Sequence, residues 1–282
     1  MKNKILTGLL LVLIGGWGSL SAQSAGSNYA RQVNTLIGTK GVGLTSGYLY
    51  PGATYPYGMV QFTPSYFSKR SGFVINQLSG GGCEHMGNFP TFPVKGKLKM
   101  SPDNILNYRI NISEEKGHAG YYEAKVQEDI HAKLTVTERT GMASYEYPAD
   151  QQYGTVIIGG GISATPIDQA AIVITAPNKC EGYAEGGNFC GLRTPYKVYF
   201  VAEFDTDALE SGTWKRDELK PNTTFAEGEY SGVYFTFDVN KKKNIQYKIG
   251  VSYVSVENAR ENLKAENTGW DFLQIQNQAE SK

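Results

Sequence analysis

The chain has no surplus charge of either sign. Its 27 Lys+Arg are cancelled by 27 Asp+Glu, so it carries no electrostatic footprint for nucleic acid. Histidine is scarce, and the three present (His85, His118 and His131) lie too far apart in sequence to suggest a shared site. Three cysteines are too few for a disulfide scaffold, and none stands at zinc-like spacing to another Cys or His. Cys180 and Cys190 bracket CEGYAEGGNFC, which reads as a glycine-rich loop; they can pair in an oxidising compartment or stay as two separate thiols. Cys83 is then left over.

A long membrane-spanning run is also missing. ILTGLLLVLIGGW (5–17) is apolar but falls short of the roughly 20 residues that cross a bilayer. With Lys2 and Lys4 before it and small residues after it, it reads as a signal peptide over 1–22, cleaved after Ala22. No cysteine follows to take a lipid. The mature chain is expected to be exported, periplasmic or extracellular, with no membrane span after cleavage. About 260 residues remain, enough for one large β domain or two smaller ones.

Glycine (33) and tyrosine (19) are abundant, which suits sheets joined by tight turns. Period-2 alternation dominates from residue 120 onward. In IHAKLTVTE (130–138), Ile130, Ala132, Leu134 and Val136 point one way, and His131, Lys133, Thr135 and Thr137 the other. That makes His131 an exposed strand residue. YKVYFVAEFD (196–205), GVYFTFDV (232–239) and NIQYKIGVSYVSV (244–256) repeat the pattern, with NKKKN as a turn. Shorter strands are expected at 121–127, 142–147 and 154–159. Strands this dense, without intervening helices, predict an all-β fold: a large antiparallel two-sheet β-sandwich rather than a βαβ sheet.

Two segments depart from that pattern. Residues 38–58 hold six glycines and two prolines and read as turns; GTKGVG there lacks the Gly-Lys-Ser/Thr ending of a phosphate loop. At the other end, ENARENLKAEN (257–267) has helical composition, and Thr268 with Asp271 forms a capping pattern. Trp270, Phe272, Leu273 and Ile275 make the tail apolar enough to need a partner surface.

The densest chemistry is in NQLSGGGCEHMGNFP (76–90). Three glycines cost backbone entropy and allow close approach of bare backbone to a ligand or a second domain. Ser79, Glu84, His85 and Asn88 add hydrogen-bonding groups around them. Ser79, Gly80, Gly81, Gly82, Cys83, Glu84, His85 and Asn88 are therefore the candidate substrate-binding set, with docking between domains as the other use of such a loop.

Several stretches in order then look like one family. VNTLIGTKGVG (33–43), PGATYPYGMVQFTP (51–64), LSGGGCEHMGNFP (78–90), GYYEAKV (120–126), LTVTERTGMASYEYP (134–148), YKVYFVAEFDT (196–206) and IGVSYVSVENARENLKAE (249–266) together resemble the N-terminal domain of glycoside hydrolase family 92. The resemblance implies an exported, calcium-dependent exo-α-mannosidase whose β-sandwich is followed by a linker helix and a catalytic (α/α)6 barrel. It divides the chain into a signal peptide (1–22), a sandwich (23–256) and the start of a helical linker (257–282). In such enzymes the general acid, the general base and most calcium ligands lie in the barrel, so no residue here is assigned a catalytic or metal-binding role; Glu84 and Glu123 match no catalytic motif. The loop matching 78–83 is implied to face the barrel near the substrate pocket. Family members often lead into it with His-x-His, where this chain has Ile75 and Gln77. The expected partners are α-mannoside glycans and a barrel in cis or trans. The alternatives are a stand-alone secreted glycan-binding sandwich without hydrolase activity, and a docking domain for a separately encoded barrel.

Overall fold

The computed structural model describes residues 29–39, 49–65, 72–103 and 111–282. The leader assigned to 1–22 and the middle of the glycine-rich 38–58 segment lie outside them. In chain order the strands begin with β1 (Ala53–Thr54), β2 (Gln61–Pro64), β3 (Phe73–Val74), β4 (Thr91–Lys95), β5 (Ile112–His118) and β6 (Tyr121–Val126). Then come β7 (Ile130–Val136), β8 (Thr140–Glu146), β9 (Tyr153–Gly159), β10 (Ile167–Ala176), β11 (Lys179–Phe189) and β12 (Leu192–Phe204). The series closes with β13 (Glu210–Lys215), β14 (Glu218–Pro221), β15 (Phe225–Glu227), β16 (Ser231–Asp238) and β17 (Asn244–Ser252). Two helices follow, α1 (Val256–Glu266) and α2 (Phe272–Glu280).

These strands form two antiparallel sheets. One has eight strands in the order β1-β2-β3-β4-β9-β16-β13-β14, the other nine in the order β15-β10-β11-β12-β17-β8-β7-β6-β5. Apolar residues alternating along each strand fill the layer between them, including Phe62, Phe92, Leu134, Phe200, Phe204, Phe235 and Tyr247. The architecture is the all-β sandwich with short C-terminal helices that the alternation predicts.

The alternation fails on one face for an instructive reason. Thr135 and Thr137 are buried although they point away from the inter-sheet core, and so is Val201. The two C-terminal helices cover that outer surface of the nine-stranded sheet: α1 packs Ala259 and Leu263 on Val201, and α2 lies across β6–β8. Ser255 caps α1, its side chain accepting from the Asn258 N–H. The cap of α2 is Asp271, accepting from Gln274 N–H at 3.0 Å, not Thr268 as the capping pattern suggested. Three ties hold α1 at its end. Glu266 accepts from the Thr137 hydroxyl (2.6 Å), the Arg139 N–H (2.8 Å) and the Arg139 guanidinium. Buried Lys248 donates to the Asn267 carbonyl at 3.0 Å and sits 4.4 Å from the centre of the Trp270 ring. Asn262 donates to the Val251 carbonyl at 2.8 Å.

A long strand, β11, stands where a loop was expected. Its inward positions are Cys180, Gly182, Ala184 and Gly186, so small residues replace the large apolar ones that reveal a strand in sequence. A side chain at Gly182 would collide with the Ala171 carbonyl of β10, its Cβ falling 2.1 Å away. Short β13, β14 and β15 also went unseen, each carrying charged or polar residues at outward positions.

The apolar tail finds its partner surface on its own domain. Phe272 and Ile275 are buried against Met142, with Tyr121 and Trp270 alongside, whereas Leu273 is 66% exposed. Phe272→Ala is therefore expected to lower the unfolding free energy by about 3 kcal/mol. Leu273→Ala should change it by less than about 0.5 kcal/mol. Urea unfolding midpoints of the two variants check this difference.

Candidate functional site

The 76–90 stretch connects β3 to β4 at one end of the sandwich. It leaves and returns as a narrow ribbon: Gly87 N–H donates to the Asn76 carbonyl at 2.7 Å. Two buried amides close the base. Asn88 N–H donates to Asn76 Oδ1 (2.8 Å) and Asn76 Nδ2 donates to Asn88 Oδ1 (3.0 Å). Asn88 Oδ1 also accepts from the Tyr196 hydroxyl at 2.6 Å, and Asn76 Nδ2 reaches the Tyr253 hydroxyl at 3.3 Å. Tyr196 lies on β12 and Tyr253 just beyond β17, so this network ties the loop base of one sheet to the other sheet. Burial pushes both tyrosine hydroxyls above their usual range.

Above that base the loop folds around a histidine. His85 is buried; its Nε2 accepts from Leu78 N–H at 2.8 Å and its Nδ1 meets the Cys83 carbonyl at 2.7 Å. Accepting at Nε2 places the ring proton on Nδ1, which donates to that carbonyl. The three glycines follow from this shape. Gly80 and Gly82 take φ of +75° and +74°, and a Cβ on Gly81 would sit 3.0 Å from the His85 ring.

Of the sequence-selected residues, Ser79, Gly80, Gly82 and Glu84 are exposed, and Gly81 and Cys83 are partly so. His85 and Asn88 are buried, and the hydrogen bonds they make lie within the loop and its base. Ser79 Oγ accepts from Gln61 Nε2 at 3.0 Å. Glu84 stands near Tyr50, whose hydroxyl accepts from Gln77 Nε2 at 2.7 Å. Partial desolvation lifts the Glu84 carboxyl above the usual range; burial, then the Glu84 charge, pushes the Tyr50 hydroxyl up. Gln77 Oε1 and Asn88 Nδ2 are buried polar atoms with no protein partner among the described residues. A cleft of about 620 Å³ borders the loop, lined by Val33, Ile37, Leu49, Tyr50, Gln61, Ser79 and His118 among others.

The cysteines pair differently from the bracketing read in the sequence. Cys83 is bonded to Cys190, with Cα atoms 5.4 Å apart, and Cys180 is the free, buried thiol. The reason is β11. Cys180 and Cys190 stand ten residues apart along one extended strand and its turn, about 30 Å at strand rise. A disulfide needs Cα atoms within about 7 Å. Had 179–189 been read as a strand, Cys180 would have been excluded from the start. Tyr50, Tyr196 and Tyr253 carried no such signal; they join the site through the fold alone.

The other carboxylate singled out, Glu123, lies on β6, in the sheet opposite to the loop's own strands. Tyr121 hydroxyl donates to it at 2.7 Å, and Lys116 and His131 lie 3.3 and 3.4 Å away. Burial alone raises its pKa, but the Tyr121 and Lys116 hydrogen bonds and the neighbouring charges outweigh burial and hold it below the usual range. No group of three or more His, Cys, Asp or Glu side chains able to hold a metal ion occurs among the described residues. No helix among them is long and apolar enough to cross a membrane.

This sandwich, with a glycine loop at its end and helices closing its outer face, has known counterparts. Residues 32–252 match the glycosyl hydrolase family 92 N-terminal domain, and the chain belongs to that family. A curated relative, an uncharacterized secreted glycosidase of Arthroderma benhamiae, is 26% identical over 89% of this chain and 37% of its own length. Among solved structures, a family GH92 α-mannosidase from Bacteroides thetaiotaomicron superposes with a TM-score of 0.77 at 23% identity. It is covered over 90% of this chain and 37% of its own. A family GH92 inverting mannosidase from the same species gives a TM-score of 0.73 at 23% identity, with 90% and 35% covered. The chain thus spans little more than a third of the relatives it matches.

Two measurements check the site. Native protein should show no thiol reactive to an alkylating probe, and denatured, unreduced protein one, located at Cys180 by peptide mapping. Glu84→Gln should stabilise the fold at pH 7 by less than about 1 kcal/mol, since solvent screens an exposed charge. The sign follows from the raised folded-state pKa: the ionised form is disfavoured in the native state above that pKa. The advantage of the variant should shrink as pH falls through the folded and then the unfolded value.

Proposed function

We propose that this chain is the pocket-forming, non-catalytic sandwich of an exported α-mannosidase, acting on α-mannoside glycans together with a catalytic barrel in cis or in trans. The family match over 32–252 carries the reading. Its structural relatives are mannosidases and its curated relative is a secreted glycosidase, which supports it. Inverting glycoside hydrolysis needs a carboxylic acid to protonate the leaving oxygen and a carboxylate to activate water, about 6.5–9.5 Å apart. In this reading both lie in the barrel. The sandwich contributes the loop 79–88, where Ser79, the Gly80–Gly82 backbone and Glu84 are open to a sugar or to the facing domain, and His85 and Asn88 hold that surface in shape. The stand-alone glycan-binding alternative is not favoured, because residues 32–252 match a hydrolase domain.

Calcium belongs to the complete enzyme in this proposal. The described residues assemble no cluster of three carboxylate, His or Cys side chains, so no calcium-dependent step is derived for them.

Purified residues 23–282 should not hydrolyse aryl α-mannosides or α-linked mannobiose, with or without calcium. Turnover by this chain alone overturns the assignment. Paired with a family 92 barrel, Glu84→Ala should cut turnover at unchanged assembly if the loop meets substrate; weakened assembly with normal turnover per complex assigns it to docking.

A further inference from the structure

Two projecting pieces of chain meet at the end of the sandwich. One is the loop 78–85 between β3 and β4; the other is the tip of the β11–β12 hairpin, which belongs to the opposite sheet. The loop is packed only around His85, and the hairpin tip is tied to its own sheet by the Arg193–Asp168 ion pair at 2.7 Å; most of both pieces is open to solvent. Leu78, Ser79, Gly80, Gly82 and Glu84 are exposed, as are Asn188 and residues 190–195 of the hairpin. A Cβ on Gly82 would meet nothing within 4 Å, and on Gly80 only Leu49 at 3.9 Å. Beyond these few anchors the pieces are joined to one another, by the Cys83–Cys190 bond and by the His85 ring set edge-on to Phe189, 5.2 Å between centres.

We propose that the Cys83–Cys190 disulfide is a redox-sensitive clasp: closed, it makes the loop and the hairpin tip one ordered lobe; opened by a dithiol, it frees the loop while the sandwich keeps its fold. This goes beyond the glycosidase reading and stands whether or not the loop touches a sugar. Cys190 is exposed and Cys83 partly so, leaving the bond within reach of a reductant. A thiolate of the dithiol attacks one sulfur, forming a mixed disulfide and releasing the other cysteine. The second thiol of the reductant then closes onto the first, expelling the protein sulfur. Two electrons and two protons pass from dithiol to protein; one S–S bond breaks there and one forms in the oxidised reductant.

The third cysteine cannot intercept the released thiols. Cys180 is fully buried on an inward position of β11, where burial pushes its thiol far above the usual range and keeps it protonated. The sandwich does not depend on the clasp, because its two sheets are held by the aromatic layer between them. After opening, the loop retains the exposed Gln61–Ser79 hydrogen bond and the contacts of His85, anchors of the kind that open locally without global unfolding.

The test is amide hydrogen exchange by mass spectrometry on residues 23–282, oxidised and after dithiothreitol, with iodoacetamide labelling of the folded protein. On reduction, peptides over 78–85 and 188–194 should exchange at least about tenfold faster while those over β7, β8 and β17 stay unchanged, the signature of local opening. Label should enter Cys83 and Cys190 and spare Cys180. The Cys83→Ser/Cys190→Ser variant, read without any reductant, should reproduce the fast loop on an intact core. Unchanged protection of the loop after confirmed reduction overturns the proposal. So does acceleration across both sheets together, or labelling of Cys180 alongside the other two.

Discussion

Phe204 stands between the two sheets, and the rest of the molecule is arranged around the contacts it makes. Its ring centre lies 4.9 and 5.1 Å from Phe235 and Phe237 of β16 and 5.3 Å from Tyr247 of β17. Further along the same layer, Phe89 meets Phe200 at 4.2 Å. Burying one such ring is worth about 1.5–3 kcal/mol, so this layer holds the sheets face to face. Because Phe89 adjoins Asn88 at the ribbon base and packs on Phe200 of β12, the same layer joins the loop base to the other sheet.

At that end the interaction changes from apolar to polar. Asn76 and Asn88 approach from one sheet, Tyr196 and Tyr253 from the other, and each buried hydrogen bond there is costly to leave unmade. A slip of either sheet would strand these groups, so the polar cluster sets alignment where the aromatic layer supplies adhesion. The projecting loop inherits its position from this base. Its outer groups, Ser79, Glu84 and the glycine backbone, are left open to solvent because His85 and the disulfide satisfy the loop from within.

How much of this could be read in advance depended on residue size. Strands whose inward positions carry Ile, Leu, Phe or Tyr, such as β7, β12, β16 and β17, announce themselves by alternation. In β11 the inward side is Cys, Gly, Ala and Gly, so the period is present but its amplitude is gone, and Cys83 was left out of the pairing with it. The helices were legible as helices, but not what they cover; Thr135 and Thr137 look outward in any period-2 reading and are buried only because α1 and α2 return over them. At the site, the loop was visible as a composition anomaly, and its glycines proved to be needed by its own turn and by the His85 ring. Tyr196 and Tyr253, more than a hundred residues away, could be found only in three dimensions.

The Cys83–Cys190 bond also changes what the chain is as an object. With its two cysteines separated by 107 positions in sequence, it closes a covalent ring that carries β4 through β11, strands from both sheets. A single backbone cut anywhere on that ring opens it without dividing the molecule. The two fragments remain one covalent body, each strand still opposite its partners, and a nick that would let an open chain come apart becomes a scar.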